Sequence, residues 1–286
     1  MTGVPDAYAN PSALVDVATC AGRDDDSIRL IEVSASRRSY DEAHIPGAGW
    51  WDWRTDLWDG GRQDLAAREQ LEAALSRCGV TSDTRVVLYG DSNNSYAAYA
   101  YWVLRLRGLR RLALLDGSKA AWARRVGTWA TGEPVFEPTG YRLRGRELAS
   151  ARADRDLVAG RLGGVATLLD VRTAEEHAGL LAAPEGTVPS PSLRAGRVPG
   201  AVHALWTGAL RQDGTFRPAA ELRRLYARAG VQPGREVVVY CRSGKRSAHT
   251  WFVLTELLGH PAVRNYDASW LDWGSRPDTP IETGAA

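Results

Sequence analysis

The segment "VVVYCRSGKRSAHTWFVLTELLG", residues 237–259, reads as a β-branched strand, a tight cationic loop and a helix in immediate succession. That order delivers Cys241 to the carboxyl end of a strand, the edge at which open α/β sheets bind their ligands. A free thiol ionises near a pKa of roughly 8.5, and a helix N-terminus with neighbouring cations lowers this to about 3.5–7.5. Arg242, Lys245 and Arg246 are those cations. The loop N–H groups, with the positive end of the helix, also form a cup for a small anion. A buried structural cysteine is the plainer reading. Three cations within five residues weigh against it.

The same unit is written twice in the chain. "TRVVLYGDSNNSYAAYAYWVLRLRG" lies over "EVVVYCRSGKRSAHTWFVLTELLG", and "LLDGSKAAW" lies over "NYDASWLDW". Tyr89 matches Tyr240 and Asp116 matches Asp267, both at an offset of 151. Further forward, "RLIEVSASRRSYDEAHIPGAGWWDW" resembles "TLLDVRTAEEH" followed by "RVPGAVHALW". The second copy alone carries "LLAAPEGTVPSPSLRAG", a Pro, Gly and Ser-rich stretch read as a surface loop. Short apolar runs such as "RVVLY" alternate with helical periodicity such as "LEAALSRCG" and "LRRLYARAG". This predicts α/β architecture in both halves, each a mostly parallel sheet with helices on both faces. The expected domains are 8–135, without the nucleophile, and 161–284, with it, joined by a polar linker over 136–160.

At the position of Cys241 the first copy has Gly90, and Asp91 stands where the second has Arg242. Nucleophile and cationic cradle are both missing there, so the first half is read as catalytically inactive.

Composition narrows the classes. With 286 residues, 36 Lys and Arg against 34 Asp and Glu give a net charge of +2. No dedicated nucleic-acid binder is expected from that balance. Three cysteines, with no CxxC or Cys/His cluster, predict no metal site and a reducing compartment. No signal-like start and no long apolar run are visible, so the expectation is a soluble cytoplasmic protein with no membrane partner. No cofactor is called for, and the internal duplication makes a monomer the expected state.

The "CRSGKRS" loop, "NYDASW", the "IPGA" and "VPGA" turns, "DWRTDL" and "YGDSNNSYAAYAYW" together resemble the tandem rhodanese family, most closely its thiosulfate sulfurtransferase branch. The resemblance implies an inactive first and an active second domain, with a persulfide formed on Cys241. Residue chemistry leads the same way. A Cys241 thiolate would attack the outer sulfur of thiosulfate, a small anionic donor, and sulfite would leave. Cyanide or a thiol acceptor would then take the sulfur. The N–H groups from Arg242 through Ser243, Gly244, Lys245 and Arg246 to Ser247 are expected to hold the sulfur anion. Arg242, Lys245 and Arg246 are expected to hold the sulfite.

Asp170 and Arg172 match the family's Asp-x-Arg and are read as support for the loop. Two positions depart from vertebrate-type members: Glu176 stands where they carry a substrate-binding arginine, and Ser243 where they carry a lysine. Ala268 replaces a glycine usual in that family. His249 is read as structural, because an ionised thiolate needs no base, and Cys20 and Cys78 as inert.

Three alternatives stay open: a 3-mercaptopyruvate sulfurtransferase, a cysteine phosphatase or arsenate reductase, and a non-catalytic sulfur-carrier or regulatory module. In the family a cationic loop goes with thiosulfate. Phosphatase loops hold five residues between Cys and Arg, and only four separate Cys241 from Arg246.

Overall fold

The β-branched run ending at Tyr240 forms the middle strand of a parallel sheet, and the matching run ending at Tyr89 does so in the other half. In the computed structural model the described residues are 7–22, 27–164, 166–184, 186–187 and 192–284. The first unit has strands β1 (Leu14–Val15), β2 (Ile28–Ser34), β3 (Gly49–Asp52), β4 (Arg85–Tyr89) and β5 (Leu112–Leu115), in the order β1-β5-β4-β2-β3. Its helices are α1 (Val17–Ala21), α2 (Arg37–Glu42), α3 (Arg68–Arg77), α4 (Ser95–Leu106) and α5 (Ser118–Arg125).

The second unit repeats the plan. Strands β6 (Arg152–Ala153), β7 (Thr167–Asp170), β8 (Val202–His203), β9 (Val237–Tyr240) and β10 (Val263–Tyr266) lie in the order β6-β10-β9-β7-β8. Its helices are α6 (Arg155–Ala159), α7 (Ala174–Ala178), α8 (Ala219–Arg228), α9 (Lys245–Phe252) and α10 (Ser269–Trp273). Every ladder in both sheets is parallel. β9 is buried along its whole length and β4 from Val86 onward, as continuous apolar strands require when helices cover both faces. Leu168, Val238, Tyr240, Tyr266 and Trp270 pack one core, and Leu30, Val87, Tyr89, Ala113 and Trp122 the other.

The units divide differently from the expected 8–135, 136–160 and 161–284. Residues 11–148 and 210–216 pack as one unit; 7–10, 149–209 and 217–284 pack as the other. The polar stretch 136–148 is therefore no linker. Thr139 and Gly140 N–H groups donate to Ser76 Oγ at 3.1 and 2.9 Å, and Leu143 N–H donates to Glu72 at 2.9 Å. Side chains on α3 thus satisfy a backbone whose own composition looks solvated. The N-terminal residues join the second unit through Ala9 and Asn10 N–H groups, which donate to the Leu257 and Glu256 carbonyls.

The expected surface loop 180–196 is exposed at Leu180 but buried at Leu193. Arg194 near its end donates to the Gly274 carbonyl at 3.1 Å, and residues 185 and 188–191 lie outside the described residues.

Asp116 and Asp267 match in the repeat but differ in partners. Asp267 takes a two-pronged ion pair from Arg152 at 2.9 and 3.0 Å. Asp116 accepts the Phe216 N–H at 2.9 Å, and burial pushes its carboxyl up to about 6. A raised carboxyl pKa means the folded state holds the proton more tightly. That contribution is complete below the unfolded value near 3.8 and is lost as pH rises through about 6. Asp116→Asn keeps an acceptor without the charge. We expect it to raise Tm by a few degrees, ~2–5 °C, at pH 8 and to leave Tm nearly unchanged at pH 3, below the unfolded value, as thermal melts at the two pH values will read.

Candidate active site

Cys241 follows β9 directly, and its main chain is tied into the "NYDASW" turn on the neighbouring strand. Its N–H donates to Ser269 Oγ at 3.1 Å, and its carbonyl accepts the Trp270 N–H at 3.1 Å. Ser269 Oγ in turn donates to the Tyr266 carbonyl at 2.7 Å. Gly244 closes the loop with φ +84°, and a Cβ there would come 2.7 Å from the Asp267 carbonyl oxygen. Only glycine fits that approach.

Gly244 is also the N-cap of α9 and offers no side-chain cap. The Cys241 sulfur lies ahead of that helix start, where Ser247 Oγ is 3.5 Å from Sγ. Ser269 Oγ lies at 4.0 Å. Burial alone would raise the thiol pKa. The Arg246 charge, the Ser247 hydroxyl and the Ser243 and Ser247 N–H groups overcome it and hold the thiol below its ordinary value. Cys78 is also buried, and there the lowering effects of Trp51, Arg77 and Arg29 do not offset burial, so its thiol is pushed up to about 11. The two thiols differ by surroundings alone.

Arg246 was expected to grip sulfite, and the structure commits its guanidinium elsewhere. Its two terminal nitrogens fork onto Glu176 at 2.7 and 3.0 Å, and Glu176 is fully buried. Glu176 sits in α7 as the third residue of a capping box with Thr173, which fixes its direction. The carboxylate found where vertebrate-type rhodaneses place a cation is thus an anchor for the loop arginine. Arg242, Ser243 and Lys245 are half-buried in the same loop, and Lys245 opens α9.

Asp170 and Arg172 are wholly buried behind the loop. Arg172 bonds Asp170 at 2.6 Å and the Gly196 carbonyl at 2.7 Å, and lies over the Trp270 ring at 4.5 Å. Tyr240 OH donates to Asp170 at 2.9 Å, and His177 Nδ1 lies 3.1 Å from it. Burial opposes ionisation of Asp170, but Arg172 and His177 hold it well below the usual carboxylate range. This network fastens β7 to the strand that carries Cys241. His249 lies inside α9, edge-on to Trp206 at 5.1 Å, and burial pushes it down to about 3. Burial thus favours its neutral form.

The first copy has no cysteine at the matching position. A Cβ at Gly90 would overlap the Val33 carbonyl oxygen. Asn94 fills the loop instead, accepting the Gly90 N–H at 2.9 Å and donating to the Leu115 carbonyl at 2.7 Å. Gly90→Cys is expected to lower stability by about 1–3 kcal/mol through overpacking and to add no second sulfur site. Denaturant melts and mass spectrometry of the sulfur-loaded variant will test both parts.

The description of the rhodanese-like domain matches this chain twice, at residues 20–125 and 154–276. The chain belongs to the rhodanese family. Its relatives carry names that differ. It is 39% identical over 282 residues to the "Sulfur carrier protein TtuD" of Thermus thermophilus, covering 97% of this chain and 99% of that one. It is 42% identical over 257 residues to a "Putative thiosulfate sulfurtransferase" of Saccharopolyspora erythraea, with 90% and 91% covered. Among solved structures, a persulfide-bearing variant of EanB with ergothioneine superposes with a TM-score of 0.83 at 23% identity. That match spans 98% of this chain and 72% of the other. YnjE superposes with a TM-score of 0.81 at 23% identity, spanning 98% and 70%. These structural likenesses concern the fold.

In rhodanese terms, sequence reasoning missed two parts of the site. One is Ser269, whose signal was the "NYDASW" match: its φ of +54° recurs at the matching Ser118, with φ +62°. The other is the pairing of Glu176 with Arg246, for which residues 70 positions apart carry no local pattern. Ala268 adopts right-handed backbone with φ −64°, whereas the matching Gly117 has φ +87°. The alanine accommodates itself by changing conformation.

Proposed function

We propose that this rhodanese-family sulfurtransferase moves the outer sulfur of thiosulfate to a thiol or cyanide through a persulfide on Cys241. The observation that carries this reading is a buried cysteine between a parallel strand and a cationic loop, with Ser247 Oγ 3.5 Å from its sulfur and its thiol held below its ordinary value. In the first step the thiolate attacks the outer sulfur, the bond to the sulfonate sulfur breaks, and sulfite departs with the electron pair. The persulfide's terminal sulfur takes over the N–H groups of Ser243 and Ser247. In the second step a thiolate or cyanide attacks that terminal sulfur, and Cys241 leaves as the thiolate it began as. Electrons and atoms balance without a cofactor.

Arg242 and Lys245 are the loop cations assigned to sulfite, since Arg246 is held by Glu176. The same commitment weighs against a phosphatase, whose loop arginine must face the oxyanion. The relatives named for thiosulfate at 42% identity add weight to that donor over 3-mercaptopyruvate. A reducing compartment fits three free, buried cysteines. Among the described residues no helix is long and apolar enough to cross a membrane.

The name of the 39% identical relative favours a second reading of the same site, in which the Cys241 persulfide is handed to a protein thiol. One experiment addresses donor and acceptor together. After thiosulfate treatment, mass spectrometry should find about 32 Da added at Cys241, removed by cyanide with release of thiocyanate. Specificity constants should favour thiosulfate over 3-mercaptopyruvate. Hydrolysis of p-nitrophenyl phosphate without any thiocyanate would sink the proposal.

A further inference from the structure

Two arginine-rich segments of the first unit, "RLRGLRR" at 105–111 and "RLRGR" at 142–146, fold against each other. Their meeting point is a glycine pair. A Cβ on Gly145 would overlap the Gly108 carbonyl, and one on Gly108 would come within 2.5 Å of the Gly145 backbone. Beside the pair, Leu148 N–H donates to the Leu106 carbonyl at 2.9 Å, and Arg68 donates to the Leu143 carbonyl at 2.8 Å. The second segment is thereby held as fixed structure.

A cavity of about 430 Å³ opens between them, lined by Arg110, Arg111, Arg142 and Arg144 together with Tyr141 and Thr81. Arg142 lies 3.6 Å from Glu72. Among the described residues Arg110, Arg111 and Arg144 have no carboxylate within 4.0 Å, and Arg111 spends one donor on the Asp83 carbonyl at 2.9 Å. Four arginines thus line one cavity, and of these only Arg142 is paired with a carboxylate among the described residues.

We propose that this cavity binds a small phosphorylated ligand of nucleotide size. Guanidinium forks match phosphate oxygens in pairs, which distinguishes them from point-charge lysines. The volume lies within the range of ordinary small-molecule sites. Tyr141, Leu109 and Val80 supply apolar wall for the body of such a ligand, next to the arginines that take its charge. The net charge of +2 over the whole chain does not reveal this local concentration of arginine. The site is independent of Cys241, which belongs to the other unit.

The test is calorimetric titration of the full chain with ADP, inorganic pyrophosphate and adenosine, on the natural protein and on the Arg110→Ala/Arg144→Ala double variant. Saturable binding of ADP and pyrophosphate is expected, weakened at least about tenfold in the double variant and weakened further by added salt, with adenosine silent. Both substituted side chains are exposed, so the variant should keep its melting temperature and its thiosulfate turnover. A single Arg144→Gln variant, expected to lose part of the affinity, gives the same reading should the double variant misfold. Absence of saturable binding at millimolar ligand, equal binding by the variants, or equal binding of adenosine would overturn the proposal.

Discussion

Cys241→Ser will abolish sulfur transfer while leaving the fold intact. A serine hydroxyl does not ionise in this range and forms no persulfide, so turnover should fall at least about a thousandfold, as expected for loss of a covalent nucleophile. The 32 Da adduct should vanish with it. Stability should hardly move, because serine is nearly isosteric with cysteine and its hydroxyl can bond to the Ser247 hydroxyl beside it. The informative outcome is the combination of an unchanged melt with no thiocyanate. Residual turnover within about tenfold of the natural protein would mean that another group carries the sulfur.

Arg246→Ala should damage both stability and chemistry, and a second substitution should separate the two. Removing the arginine strands the Glu176 carboxylate, which is fully buried, at a cost of about 3–5 kcal/mol. It also removes the charge that opposes burial at Cys241. The thiolate favours higher pH, so the rate of persulfide formation rises through the thiol pKa. Loss of a lowering charge should move that midpoint upward. Adding Glu176→Gln to Arg246→Ala replaces the stranded charge with a neutral amide and should restore much of the stability. It should leave the pH midpoint high, because no cation has been returned. Denaturant melts and pH profiles of the single and double variants read the two effects separately. A midpoint that stays in place in Arg246→Ala would show that the N–H groups and Ser247 alone hold the thiol down.

Much of this was legible in the chain because it is written in local pattern. The strand, loop and helix around Cys241 span consecutive residues, and the duplication supplied its own control at Gly90. A repeat at constant offset also predicts two sheets of one topology, and both have the same strand order. The boundary near 148 was not legible. Residues 136–148 look like a solvated linker by composition, and what holds them is a set of acceptors on α3, more than 60 positions away. The cationic cavity escaped notice for the same reason, since its two arginine segments are separated in sequence and only the approach of Gly108 to Gly145 unites them.

What the sequence by itself determined is the α/β repeat and the place of one candidate nucleophile, because periodicity, turn residues and side-chain chemistry act over a few residues. Which charges serve that nucleophile was decided only by the tertiary structure. Three cations stand within five residues of Cys241, yet it is the Ser247 hydroxyl that lies 3.5 Å from its sulfur while Arg246 is drawn onto Glu176. A buried carboxylate must find a partner, and the fold brought it the arginine that the sequence had placed beside the thiol.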